Sequence, residues 1–210
     1  MIHPATWEAP RIWPGEECYI IGGGPSVKDC DLTPLHTKRV IAVNNAFTLG
    51  PWPVMFYGDC RWEIQHRETL RQFSGLRVHG CSQNEGVAYV HKILRIANQY
   101  GIHRDPAKLC WNLSSGACAI NLAVHFGVKR IVLIGFDMQK VGGESNYHRD
   151  HDIHKATPKQ QAVYDPYERF LAPFPKIAED LSRIGVECVN ATPGSALTVF
   201  PTMTLEEALR

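Results

Sequence analysis

The chain has 210 residues, of which 44% are hydrophobic, and its 22 Lys and Arg residues nearly balance its 21 Asp and Glu residues. A chain of this length and composition can bury one hydrophobic core, which predicts a single domain over residues 1–210. The balanced charge gives no strong sign of nonspecific nucleic-acid binding. No apolar run approaches the roughly 20 residues that span a bilayer, which argues against a membrane span.

The seven cysteines are scattered along the chain, and none of them forms a CxxC pair. Their odd number, their spacing and the lack of a signal peptide predict reduced thiols in a cytoplasmic protein.

A glycine-rich turn follows the first predicted strand, 18–21, and has the sequence Gly22-Gly23-Gly24-Pro25-Ser26. Glycines permit positive φ and close approach of a ligand, and proline suits a first helical turn. The free N–H groups of that turn predict an anion site, for example for a nucleotide phosphate. The pattern is neither the dinucleotide fingerprint nor a P-loop, because Val27 stands at the third glycine position and no Gly-Lys-Ser/Thr follows. A tight turn without a ligand is the alternative.

Apolar runs and helical periodicity predict alternating strands and helices along the rest of the chain. The predicted strands are 39–43, 54–59, 76–79, 130–137 and 186–189, and the predicted helices are 62–73, 87–100, 117–126 with Gly127 after it, and 167–184 with breaks at Pro173 and Pro175. A capping box at Thr204–Glu207 predicts a terminal helix. Helices next to nearly continuous apolar strands predict an α/β fold, a Rossmann-like open and mostly parallel sheet covered by helices on both faces.

The polar stretch 140–165 is too long for a plain connection, and it predicts a lid-like loop. It contains His148, His151 and His154, each of which is a candidate general base or simply a solvated side chain. Asp150 and Asp152 have the spacing of a divalent metal site, with solvation of the loop as the alternative.

Polar residues end several predicted strands. They are the glycine-rich turn, Asn44 with Asn45, Asp59, Asp137 and Asn190. In an open α/β sheet, ligands bind outside the carboxyl ends of the strands. Although an Asn pair alone often just makes a turn, five polar strand ends together predict a site for a nucleotide or a nucleotide sugar.

These motifs resemble a known enzyme superfamily. Gly22–Ser26, Asn45 with Phe47, Ser114-Ser115-Gly116 and Gly135-Phe136-Asp137 are similar to motifs of the bacterial sialyltransferases of glycosyltransferase family 42. They equally resemble related proteins that include hydroxymethylpterin pyrophosphokinase and flagellin-modifying glycosyltransferases. The similarity covers about 18–60 and 112–140, with a weaker match near 154 and at 186–197, and short phage or prophage proteins share it.

The resemblance implies roles for individual residues in binding a CMP-sugar-like donor. The glycine-rich turn and Asn45 would hold the nucleotide, Ser114, Ser115 and Gly116 would line the same pocket, and His154 would be the general base, with His151 and His148 as competitors. The family pattern differs at three positions, where Gly23 replaces an asparagine, Asn112 an arginine, and Gln139 one of two phosphate-binding tyrosines. Tyr147 is the candidate for the other tyrosine.

Three functions are compatible with these observations. The first is a glycosyltransferase that moves a sugar from a nucleotide donor to an unknown hydroxyl acceptor and requires no cofactor. The second is a pyrophosphokinase that uses ATP and Mg²⁺, and the third is an inactive nucleotide-binding domain. The sequence leaves the acceptor and a homo-oligomeric state open.

Overall fold

A parallel sheet of seven strands forms the centre of the computed structural model, which describes residues 7–81, 89–148 and 166–210. The strands are β1 Glu17–Ile21, β2 Val40–Val43, β3 Val54–Tyr57, β4 Leu76–His79, β5 His91–Lys92, β8 Arg130–Ile134 and β9 Glu187–Asn190, while β6 Leu94–Ile96 and β7 Lys108–Cys110 form a separate parallel pair. The order in the large sheet is β5-β4-β3-β2-β1-β8-β9. This confirms the predicted open, parallel α/β sheet.

Helices cover both faces of this sheet. The α-helices are α1 Cys60–Gln72, α2 Ser115–Phe126, α3 Tyr167–Leu171, α4 Phe174–Ile184 and α5 Leu205–Ala208, and short 3-10 helices occupy Pro25–Asp29, Thr33–Leu35 and Asn44–Leu49. Gly127 ends α2 in the left-handed conformation, as its sequence position predicts. The predicted capping box at Thr204 starts α5. The two prolines divide the predicted amphipathic segment into α3 and α4.

The alternation of side chains along β1 creates two cores. Ile20 packs on one face, in the same cluster as Ile120 of α2 and Ile177 of α4. Ile21 packs on the other face, in the cluster that includes Leu70 of α1. Since every strand residue of β2 and β3 is also buried, the middle of the sheet reads in the sequence as continuous apolar runs.

The helix predicted over 87–100 is wrong for the part of that range that the structure describes. From residue 91 onward the chain forms β5 and β6. The apolar spacing that suggested a helix does not give a buried face, because only Ile93 is fully buried, while Leu94 is 41% exposed. Residues 87 and 88 lie outside the described part.

The prediction that all cysteines are reduced thiols is wrong for one pair, because Cys60 and Cys81 form a disulfide. Cys60 follows β3 and Cys81 follows β4, and neighbouring parallel strands bring these positions together at one edge of the sheet. The other five cysteines are free. No helix in the described ranges is long and apolar enough to cross a membrane.

Candidate functional site

A cavity of about 730 Å³ opens at the carboxyl ends of the central strands. It lies where β1 separates the strands β2, β3 and β4 on one side from β8 and β9 on the other. Such a switch point is where open α/β sheets place their ligands. The walls come from the ends of β1, β2, β3, β4 and β8 and from the start of α2.

The cavity brings together ten of the residues that the sequence singled out. They are Gly22, Gly23, Gly24, Asn44, Asp59, Ser114, Ser115, Gly116, Asp137 and His148. Six others do not line it, namely Pro25, Ser26, Asn45, Gln139, Tyr147 and the strand-end residue Asn190. His151, His154, Asp150 and Asp152 lie outside the described residues, as does most of the predicted lid-like loop.

The glycine-rich turn binds a carboxylate of the chain itself. Ser26 donates from its backbone N–H to Asp137 Oδ1 at 3.2 Å and from Oγ to Asp137 Oδ2 at 2.9 Å. The N–H groups of Gly22 and Gly24 donate to the carbonyls of Ile134 and Gly135. The turn therefore has fewer N–H donors for a phosphate than its sequence predicts, because Asp137 takes the place of the anion.

Gly24 is required for close packing rather than for an unusual backbone angle. Its φ is −66°, and none of the three glycines of the turn has positive φ, contrary to the expectation from sequence. A Cβ on Gly24 would lie 1.8 Å from Asp137 Oδ2 and 2.6 Å from the Gly135 carbonyl oxygen. Asp137 is only 2% exposed, and burial raises the pKa of its carboxyl above the usual range.

The two asparagines after β2 have different positions. Asn45 is buried and accepts a hydrogen bond from the Trp62 indole, outside the cavity lining. Asn44 lines the cavity in the left-handed conformation, with φ of 50°. Its buried Oδ1 has no hydrogen-bond partner among the described residues. Asn44 therefore lines the cavity, whereas Asn45, the residue that the resemblance selects, does not.

The start of α2 faces the cavity with its first residues, Ser115 and Gly116. Ser114 caps the helix, since its Oγ accepts from the Ala117 N–H at 3.2 Å. The preceding Asn112 is fully buried and exchanges two hydrogen bonds of 2.9 Å with the backbone of Gly101. At the position where the sialyltransferase pattern has an arginine, this chain therefore has Asn112, whose hydrogen bonds hold the loop before α2 in place.

His148 is the predicted histidine that the structure describes, and it lines the cavity. The loop that carries it is joined to the glycine-rich turn, because the Tyr147 N–H donates to the Gly23 carbonyl at 3.1 Å. The Tyr147 ring packs beside the His148 ring and lines a second cavity with residues of the segment 27–36. Gln139 is exposed and donates to the Gly194 carbonyl.

Arg95 and Trp111 line the cavity, although the sequence reasoning did not select them. The Arg95 guanidinium lies over the Trp111 ring, 5.2 Å from its centroid. Arg95 lies on β6, inside the segment that was predicted to be helical, and β6 pairs with β7, which immediately precedes Trp111. If the sequence had indicated a strand at Leu94–Ile96, it could have placed Arg95 at this edge of the fold.

Strained backbone is concentrated around the cavity. Asn44, Leu113 and Met138 have φ of 50°, 57° and 51°, and all three line it. Left-handed angles are costly for a leucine or a methionine, and such residues cluster at functional sites. Among the described residues, no group of three His, Cys, Asp or Glu side chains is arranged to hold a metal ion.

Fold and site together define an open, parallel α/β protein with a ligand-sized cavity at the switch point of its sheet. Comparisons of the chain with protein-family models, with curated proteins and with solved structures found no match.

Proposed function

We propose that this protein binds a nucleotide-sugar donor of the CMP-sugar type in the cavity and transfers the sugar to a hydroxyl acceptor. The observation that carries the proposal is the position of the cavity at the switch point, where polar groups from four strand ends converge. The left-handed residues around it support a functional role, since such backbone outliers cluster at functional sites.

The chain offers groups for the two tasks of glycosyl transfer, deprotonation of the acceptor and stabilisation of the leaving phosphate. His148 is the described candidate for the base, because it lines the cavity beside the glycine-rich turn. His151 and His154 remain candidates within the proposal. Transfer of this kind needs no metal ion, whereas the alternative pyrophosphokinase reaction would use Mg²⁺. A cytoplasmic location, where nucleotide donors are made, belongs to the same proposal, although the Cys60–Cys81 disulfide is uncommon in that compartment.

A thermal-shift panel with CMP, UDP, GDP and ATP, each with and without Mg²⁺, tests the proposal. A ligand at about 100 times its Kd stabilises the native state by about 2.7 kcal/mol, which raises the Tm by roughly 5–10 °C for a chain of this size. We expect stabilisation by a nucleoside phosphate without metal. Stabilisation only by ATP with Mg²⁺ would favour the pyrophosphokinase, and no response to any nucleotide would contradict the proposal.

A histidine variant then tests the chemistry separately from binding. We expect His148→Gln to keep the nucleotide-dependent Tm shift but to lower hydrolysis of a CMP-sugar by about 10²- to 10⁴-fold, the usual contribution of a general base. His36→Gln is the matched control, because His36 packs on Trp52 away from the cavity. If His148→Gln hydrolysed the CMP-sugar at the wild-type rate, the general base would be His151 or His154 and not His148.

A further inference from the structure

We infer that Arg95 anchors the anionic part of the ligand, so that the phosphate binds at the α2 end of the cavity and not in the glycine-rich turn. That the ligand is a nucleotide rests on the proposed function. That its phosphate lies beside Arg95 rests on the contacts of Arg95 described below.

The guanidinium of Arg95 is held in place by backbone carbonyls at two strand ends. Nη2 donates to the Gly58 carbonyl at 2.6 Å, and Nε donates to the Gly80 carbonyl. Gly58 directly follows β3 and Gly80 directly follows β4. With Trp111 against its face, the side chain is fixed in one orientation, which lowers the entropy lost when it binds an anion.

The fixed guanidinium retains hydrogen-bonding capacity towards the cavity. It carries five N–H groups, and the contacts with Gly58, Gly80 and the buried Cys118 thiol use three of them among the described residues. No carboxylate in the described ranges forms an ion pair with Arg95, although the side chain is half-buried. A half-buried guanidinium that has no carboxylate partner among the described residues is suited to bind an anion.

The neighbouring groups at the start of α2 are suited to the same anion. A Cβ on Gly58 would lie 2.7 Å from Arg95 Nη1 and 2.9 Å from Ser115 Oγ, so these two polar atoms converge on one point. The N–H groups of Ala117 and Cys118 are bonded to Ser114, which leaves those of Ser115 and Gly116 at the cavity. Guanidinium, hydroxyl and helix N–H groups together match the oxygens of a phosphate.

The opposite end of the cavity repels a phosphate. Asp137 already occupies the N–H group of the glycine-rich turn with its carboxylate. A nucleotide is therefore oriented with its phosphate towards Arg95 and with uncharged hydroxyl groups towards Asp137 and His148.

Two variants test the role of Arg95 as the phosphate anchor. Arg95→Gln removes the charge, and Arg95→Lys keeps the charge but loses the planar set of N–H donors of the guanidinium. CMP and cytidine are titrated against each protein by calorimetry. We expect Arg95→Gln to weaken CMP binding by about 10- to 100-fold, the usual effect of a hydrogen bond to a charged group, and to leave cytidine binding unchanged. Arg95→Lys should give an intermediate loss. Arg77→Gln, outside the cavity lining, is the control.

A second measurement uses inorganic pyrophosphate and separates this inference from the proposed function. Pyrophosphate should raise the Tm of the wild-type protein and of Arg77→Gln but not that of Arg95→Gln. If pyrophosphate has these effects but no nucleotide binds, Arg95 is confirmed as an anion anchor and the proposed function is contradicted. Equal CMP affinity of Arg95→Gln and the wild type overturns the anchor and leaves the function intact. Loss of cytidine and CMP binding together in Arg95→Gln, or no effect of pyrophosphate on the wild type, also overturns the anchor.

Discussion

The carboxylate of Asp137 is the ligand of the glycine-rich turn in this chain. The three glycines, which alone suggest a cradle for phosphate, instead allow the end of β8 to pack against the end of β1. The position of this carboxyl group in the cavity is thereby fixed by the fold. A single residue after β8 thus changes which part of a ligand the turn can accept.

Gly24→Ala should destabilise the protein through this contact. The added Cβ would lie within 1.8 Å of Asp137 Oδ2, and the Gly135 carbonyl blocks the other direction. We expect a loss of about 1–3 kcal/mol in the free energy of unfolding, measured by urea denaturation. Gly23→Ala is the matched control, because its nearest neighbour would be Asn146 Oδ1 at 3.3 Å. Equal stability of the two variants would contradict the packing argument.

His79 should make the stability fall in mild acid. The ring is fully buried against Tyr57, and burial, with Lys92 and Arg95 nearby, lowers its pKa to about 4, even though Glu63 Oε2 lies 4.0 Å from Nδ1. Between pH 6.5 and 4 the unfolded state binds a proton that the folded state does not. The free energy of unfolding therefore falls by up to about 1.4 kcal/mol per pH unit, and this contribution is fully present only above pH 6.5.

His79→Leu measures this contribution by difference. Urea denaturation of both proteins at several values of pH between 4 and 7 should give a smaller pH dependence for the variant. Other groups, such as the salt-bridged carboxylates, contribute equally to both proteins and cancel. Parallel curves for the wild type and the variant would show that His79 is protonated in the folded state as readily as in the unfolded one.

At the scale of elements, the sequence predicts best those segments whose local pattern and tertiary environment agree. α2 has a serine cap, small residues and a terminal glycine, and its neighbour β8 is a continuous apolar run, so the sequence predicts both elements, although α2 starts two residues earlier and β8 ends three residues earlier than predicted. The segment 91–96 was predicted incorrectly, because its strands are stabilised by pairing with β4 and β7 and not by a local pattern. Pairing of that kind leaves no periodic signal.

The disulfide between Cys60 and Cys81 joins the start of α1 to the segment after β4. It closes a loop between residues 21 positions apart, and such a cross-link stabilises a protein by about 3 kcal/mol. We expect Cys81→Ser to lower the free energy of unfolding by that amount in the absence of reductant, and to equal the wild type when dithiothreitol is present. Urea denaturation with and without reductant measures both.

Cys30→Ser provides the control for this prediction, since Cys30 is a free cysteine outside the pair. Its stability should respond to dithiothreitol as strongly as that of the wild type. A wild-type protein whose stability is the same with and without reductant would show that the cross-link does not stabilise the fold. Because both paired cysteines line the cavity, reduction should also loosen the rim where Arg95 is anchored.

At the scale of the whole molecule, the sequence predicts the edge of the sheet at which the site lies, but not the contacts made there. Parallel strands end at a common edge, so polar strand ends were sufficient to locate Asn44, Asp59 and Asp137. Asn44 lines the cavity in place of Asn45, and it does so with a left-handed backbone angle that the sequence does not reveal. Arg95 enters the site only through strand pairing and its carbonyl contacts, which sequence order does not reveal.

The interior position of β1, between β2 and β8, limits when its two edges can pair during synthesis. β1 pairs with β2 and with β8, and the contact between Ser26 and Asp137 joins positions 111 residues apart. While the chain is being synthesised, β1 has an exposed edge until β8 emerges, so this intermediate is prone to aggregation. The cavity does not exist before that step. A ligand of the cavity therefore stabilises only the molecule in which β8 is already paired.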